Sequence, residues 1–340
     1  MKGSQVDDMT LALVTGAGGF IGCHVVRRLL EKGFDVRAML APGENPQAIQ
    51  GLNVETINVD LRDSDAVHNA VRDCHSVFHL AAIYAVYLDR PQDMYDVNVG
   101  GTRHIMAACA AHNVHKVVHT SSIAAVGLRP NQEPATEAEP FKDFTIQDDY
   151  VLSKYISEQE ALSWATKEVP VVSVNPGFPF GPFDYRPTPT GRMIAELLLE
   201  RLPGYFDGGL SAVDVEDVAA GHLLAAEHGQ VGERYLLSGT NISYEDFIRQ
   251  VARSAGVKPS GKRLPLPLAR LVAHAFVIRK RLLGIEPLMT PGLLSYSARH
   301  LYYDHSRAKN ELGWETTPFQ TTIEKTIDFF QEQIKSGAYR

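Results

Sequence analysis

The sequence predicts an α/β protein: a doubly wound parallel sheet of Rossmann type with a smaller, interleaved C-terminal substrate lobe. Three observations carry this. Compact apolar runs alternate with helical patterns from residue 10 to about 174. A glycine-rich turn, Thr15–Gly22, follows the first run and opens the first helix. At 340 residues the chain exceeds what one growing core comfortably holds, so two lobes sharing a cleft are expected.

Thr10–Thr15 reads as a buried parallel strand, and Phe20–Glu31 as a helix closed by Gly33. Val36–Leu40 and Val54–Val59 are the next strands. Ser64–Val71 is a helix with Ser64 as its N-cap, and Ser76–Leu80 a strand. A long helix runs from Met94 to His112, a strand over Lys116–Thr120, a helix over Tyr150–Lys167 and a strand over Val171–Val174. Prolines 176, 179, 182, 187 and 189 then break the pattern into a cleft-lining loop. Helices follow at Gly191–Glu200, Tyr244–Ala255, Leu266–Leu283 and Thr321–Ile334. A strand runs into a helix over Ala212–Glu227, and Tyr235–Leu237 is a short strand. Residues 1–176 form the expected dinucleotide-binding domain, to which about 210–240 return; 177–340 form mainly the substrate lobe.

Hydrophobic residues make up 44% and charged residues 21%, ordinary for a globular protein. A formal charge of -7 disfavours a nucleic-acid surface. Cys23, Cys74 and Cys109 lack CxxC spacing and read as reduced thiols, so neither a metal nor a disulfide framework is expected. Met1–Thr10 carries no apolar core of the secretory kind, and no apolar run reaches membrane-spanning length; a cytoplasmic protein is expected.

Gly16, Gly19 and Gly22 are spaced GxxGxxG. Gly16 permits the tight turn, Gly19 admits the pyrophosphate and Gly22 lets helix and sheet approach. The amides of the first turn, from Phe20 and Ile21 onward, then face the phosphates. No acid ends the second strand, where Leu40 and Ala41 stand. Arg37 is the nearby cation for a 2′-phosphate, whereas Glu44 would accept from a ribose hydroxyl and repel a phosphate. The residues favour NAD over NADP.

Tyr150 and Lys154 lie four apart on one helix face, and Ser121 and Ser122 end a strand at the ligand crevice. An ammonium beside the phenol is expected to lower its pKa and make it a general acid/base, with Ser122 holding the substrate oxygen. No metal is needed. A YxxxK pair alone recurs by chance; its order after the glycine loop and the serine distinguishes it from an exposed helical pair.

These motifs resemble those of the extended short-chain dehydrogenase/reductases, the NAD-dependent epimerase/dehydratase superfamily, almost end to end. Asp60-Leu61 resembles that family's adenine contact. Phe78-His79-Leu80-Ala81-Ala82 resembles its fourth-strand motif beside the cofactor, and Asn98–Thr102 the helix motif after it. His119–Ser122 matches the segment of the catalytic serine. Asn175-Pro176-Gly177 and Phe180–Pro182 resemble the nicotinamide loop, and Ala308–Trp314 the C-terminal signature. The chain looks nearest the dihydroflavonol reductase-like and 3β-hydroxysteroid dehydrogenase-like branch, with segments similar to hopanoid-associated epimerases. Ala41 departs from the Arg that the reductase branch carries for NADP. The resemblance implies a homodimer built from the Met94–His112 and Tyr150 helices.

Ile83, Tyr84, Tyr87, Phe178, Phe180, Phe183 and Tyr185 follow strand-end motifs and together suggest an apolar substrate pocket, with Tyr84, Phe178, Phe180 and Tyr185 as substrate contacts. The expected reaction interconverts a hydroxyl and a carbonyl on a steroid, isoprenoid or long-chain compound. Arg186 and Arg192 keep a nucleotide-sugar epimerase or dehydratase as the alternative. A non-enzymatic cofactor sensor ranks last, because both Tyr and Lys are present. Leu264–Leu283 mixes apolar residues with Arg263, Arg270, Arg279, Lys280 and Arg281. A substrate-lobe helix with a solvated basic face is favoured there over contact with a membrane surface.

Overall fold

The computed structural model describes residues 10–339 apart from 168, 203 and 260; the reading of residues 1–9 lies outside them. The chain runs through β1 (Leu11–Thr15), α1 (Phe20–Glu31), β2 (Asp35–Leu40), β3 (Glu55–Asn58), α2 (Ser64–Val71) and β4 (Ser76–His79). It continues through α3 (Gln92–Tyr95), a π turn (Asp96–Gly100), α4 (Gly101–Ala111), β5 (Lys116–Thr120), α5 (Asp149–Ser163) and β6 (Val171–Pro176). The remainder is β7 (Phe178–Phe180), α6 (Pro189–Leu198), β8 (Gly204–Tyr205), β9 (Gly209–Asp214), α7 (Val215–His228), β10 (Arg234–Leu237), β11 (Thr240–Ser243), α8 (Tyr244–Ala255) and β12 (Lys262–Arg263). Four further helices follow: α9 (Leu266–Leu283), α10 (Pro291–Ser297), α11 (Ser306–Leu312) and α12 (Phe319–Lys335).

Seven parallel strands form one sheet in the order β10-β6-β5-β4-β1-β2-β3. The order reverses between β1 and β4, which opens the ligand crevice at their C-terminal ends. One face is covered by α1, α7 and the buried Trp314; the other by α2, α4 and α5. A small sheet, β11-β9-β7, carries a separate core around Phe180, Phe247 and Phe330.

Local chemistry departs from expectation in a few places. Asp63, not Ser64, caps α2: its carboxylate accepts from the Asp65 and Ala66 amides, and its extended backbone suits the cap position. The long Met94–His112 helix begins earlier and contains the π turn. The segment after Pro176 is not only loop, since Phe178–Phe180 pairs with β9. The strands β8 and β12, at two residues each, are too short to leave a periodic signal.

Beneath the crevice a polar relay joins three elements. The Thr15 hydroxyl accepts from the Leu80 and Ala81 amides at 3.1 and 3.0 Å. Its own proton therefore points to His79 Nδ1, 2.8 Å away. That makes Nε2 the protonated nitrogen, donating to Thr102 at 3.0 Å, and Thr102 donates in turn to the Asn98 carbonyl at 2.7 Å. Burial holds the imidazole neutral by pushing its pKa down to about 3.

The relay makes stability depend on pH. A histidine whose folded pKa is depressed contributes stability that is present above its ordinary value near 6.5 and is lost as pH falls toward about 3. The urea midpoint should therefore fall between pH 7 and 5, and His79→Gln should flatten that fall. An unchanged slope in the variant would assign the titration elsewhere.

Candidate active site

The glycine turn forms one wall of the crevice. Gly16 takes φ 67°, and a Cβ there would lie 2.9 Å from the Ala81 backbone. A Cβ at Gly22 would drive into the Gly16 carbonyl. No side chain caps the N-terminus of α1, because Gly19 occupies the cap position. The first-turn amides of Phe20, Ile21 and Gly22 are thus left for an external acceptor. This uncapped turn beside a close-packed glycine loop fits a dinucleotide pyrophosphate.

Gly16, Gly19, Phe20, Ile21, Gly22, Leu80, Ala82, Tyr150, Lys154, Pro176 and Gly177 all line one cavity of about 820 Å³. Ala81 instead packs beneath Gly16. Three further expectations need correction. Arg37 lies toward the far end of β2 from the crevice. Its guanidinium donates to the carbonyls of Ala70 and Arg72 at the C-terminal end of α2 and pairs with Glu55, each at 2.8 Å. The Asp60 carboxylate is taken up by Arg62 at 2.6 Å, and Leu61 is buried against Gly101. Asn98 is 2% exposed and works as a clamp rather than a cavity wall. Its amide exchanges two hydrogen bonds with Ile83 and donates to Ser153, which bonds the Tyr150 carbonyl.

Glu44 does reach the crevice. The Ala41 amide fastens one carboxylate oxygen at 2.9 Å, and the other faces Gly18. A carboxylate thus stands on the loop after β2, in the crevice wall.

Ser122, Tyr150 and Lys154 meet at the floor of the cavity. Asp148 starts α5 by accepting from the Val151 amide. The helix is anchored by Glu158, whose wholly buried carboxylate pairs with Arg234 at 2.8 Å and also accepts from Asn175. Asn175 donates to the Ser122 carbonyl at 2.9 Å as well, so one buried cluster fixes both the serine strand-end and the tyrosine helix. The Ser122 Oγ accepts from the Ala124 amide at 3.1 Å, leaving its proton for a ligand or for Tyr150.

The electrostatics differ from expectation. Lys154 donates to the Thr120 carbonyl at 2.6 Å and does not depress the phenol. Burial pushes Tyr150 up to about 12, with the Ser122 hydroxyl pulling the other way. Burial also draws Lys154 down to about 8, against the opposing pull of Glu158. The Tyr84 ring lies tilted by 38° against that of Tyr150, 4.4 Å between centroids.

Tyr84, Phe178 and Tyr185 line the cavity, but Phe180 does not. It is 1% exposed and packs on Phe247 at 5.1 Å in the core of the second lobe. Arg186 and Arg192 line the same cavity. Phe183 is held at φ 70°, a strained value for a bulky residue, between His24 and the Arg27 guanidinium at 4.3 Å. Beside it, burial raises the Asp184 carboxyl to about 7 while the Thr188 amide and hydroxyl bond it. In the sequence the only signal of this support is an acid bracketed by Phe183 and Tyr185. The cavity walls from α9 and from Glu286 to Met289 also left no motif.

The NAD dependent epimerase/dehydratase family matches residues 12–238. A relative named as a dihydroflavonol 4-reductase, from Synechocystis sp., is 36% identical over 94% of this chain and 94% of its own. Sterol demethylase protein B of Methylococcus capsulatus is 33% identical over 94% of this chain and 98% of its own. The crystal structure of gox2253 superposes with a TM-score of 0.84 at 38% identity, covering 95% of this chain and 98% of that one. With its parallel sheet, uncapped glycine turn and Ser-Tyr-Lys floor, the chain belongs to the NAD dependent epimerase/dehydratase family and is an NAD(P)-dependent enzyme of the extended short-chain dehydrogenase/reductase type.

Proposed function

We propose that the protein is a carbonyl reductase, or the reverse dehydrogenase, for an apolar substrate of steroid, isoprenoid or long-chain type. The observation that carries this reading is the placing of Tyr150 and Ser122 on the floor of an 820 Å³ cavity walled by Tyr84, Phe178, Tyr185, Met193, Phe276 and Met289. Such a wall desolvates hydrocarbon. The relative named for sterol demethylation lends support.

In reduction, Ser122 and Tyr150 hydrogen-bond the substrate carbonyl oxygen. A nicotinamide held between the glycine turn and Pro176-Gly177 would supply the hydride. Tyr150 passes its phenolic proton to the oxygen as the alcohol forms and is reprotonated from solvent, while Lys154, anchored on the Thr120 carbonyl, presents its ammonium to the cofactor side of the cavity. A phenol held near 12 is protonated at working pH, which suits the donor role. Tyr150→Phe should lower kcat by about 10²–10⁴ and leave the NADH dissociation constant essentially unchanged. Wild-type turnover in that variant would refute the assignment. Because burial places the Lys154 transition at about 8, kcat/KM should fall as pH rises through that value. A flat profile to pH 10 would remove the requirement for its charge.

NAD is the preferred coenzyme on this reading. The fastened Glu44 carboxylate accepts from the adenosine ribose hydroxyls and repels a 2′-phosphate, while Arg37 is committed elsewhere. Glu44→Gln should narrow the NADH-over-NADPH affinity ratio by about tenfold or more. A wild type that binds NADPH more tightly would overturn the preference. Arg186 and Arg192 favour one rival, a nucleotide-sugar epimerase or dehydratase. Conversion of such sugars with no net change in NADH would replace the reductase reading.

A further inference from the structure

Helix α9 has two apolar faces. The inner one, through Ala269, Val272, Ala273 and Phe276, lines the substrate cavity. On the outer one, Leu268, Leu271, Ala275, Ile278 and Leu282 follow each other at alternating three- and four-residue steps, which puts them in one stripe. All five are exposed; Leu271, Ile278 and Leu282 are 69%, 56% and 77% exposed. Leu283 and Ile285 extend the patch past the end of the helix. The sequence reading of a solvated basic face is therefore incomplete: the face that meets solvent is apolar with a basic border.

Charge decides what such a stripe fits. From Lys262 to Ile285 the chain carries Lys262, Arg263, Arg270, Arg279, Lys280 and Arg281 and no acid, within a protein of net charge -7. Arg263 pairs with Asp207, and Lys280 with Glu286. Arg270, Arg279 and Arg281 have no carboxylate partner among the described residues and border the stripe on both sides. A second copy of this helix would bring like charges together with no acid to offset them. An anionic bilayer supplies hydrocarbon for the leucines and headgroup charge for the arginines. Among the described residues, no helix is long and apolar enough to cross a membrane.

We propose that α9 docks the protein on anionic membrane surfaces, its outer stripe seated at the headgroup boundary. The helix is then the single-layer wall between bilayer and substrate cavity, so a membrane-dissolved substrate reaches the site by crossing the thickness of one helix. That last step rests on the apolar-substrate reading; docking itself does not.

Flotation of the full-length protein with vesicles tests this without turnover. Vesicles of phosphatidylcholine carrying about 30% phosphatidylglycerol should recover at least about tenfold more protein than phosphatidylcholine alone. Raising salt from about 0.1 to about 0.5 M should weaken that recovery. Leu271→Glu/Leu282→Glu should lose it by about tenfold while binding NADH as the wild type does, which establishes that the variant is folded. Wild-type protein remaining with the dense fraction, or a variant that floats equally, would overturn the proposal. So would a dimer dissolved by the same double substitution without any flotation, which would make the stripe a self-interface. A carbonyl-reduction assay on dispersed substrate fails or succeeds independently of these outcomes.

Discussion

The crevice rests on one threonine. Thr15 ends the first strand with a hydroxyl that accepts from the Leu80 and Ala81 amides just past β4 and donates to His79. This single oxygen lets β1 and β4 part at their ends without leaving backbone donors bare, and parting there is what makes room for a dinucleotide. The imidazole extends the connection to Thr102 and so to the helix carrying Asn98. Because every member is buried and satisfied, the relay has one low-energy arrangement, and the strand ends are held in one register.

A second buried polar cluster does the equivalent for the chemistry. Glu158, Arg234 and Asn175 tie α5 to β6, β10 and the Ser122 turn. A lone carboxylate at that depth would be costly; paired with a guanidinium and an amide it specifies where the tyrosine helix lies. The substrate side is built differently. Its walls come from loops and from helices such as α9 and α10, with strain at Phe183 and few buried polar ties. Precision is concentrated where hydrogen is transferred, and adaptability where the substrate is received.

The sequence was most informative where geometry demands a particular residue. Gly16 and Gly22 are glycines because a Cβ has nowhere to go, and Tyr150 and Lys154 share a face because helical spacing puts them there. The central strands of the sheet are visible because both faces are covered and their composition is mainly apolar. What was hidden depended on side-chain partners chosen in three dimensions. Arg37 looked available until the carbonyls of α2 claimed it; Lys154 turned to Thr120 instead of the phenol; Phe180, in an aromatic-rich loop, went to the lobe core. Very short strands such as β8 and β12 are set by neighbours and carry no pattern of their own.

The π turn between α3 and α4 holds one residue more than an α-helical turn would span. Asn98 lies inside that turn, facing Ile83 and Ser153, while Thr102 beyond it faces His79. Winding Asp96–Gly100 as ordinary α-helix without shortening it would swing everything beyond the turn by roughly a quarter-turn relative to what precedes it. The asparagine clamp and the threonine acceptor would then no longer be in phase. The wide turn is therefore what lets one helix serve the Ser153 side and the His79 side at once.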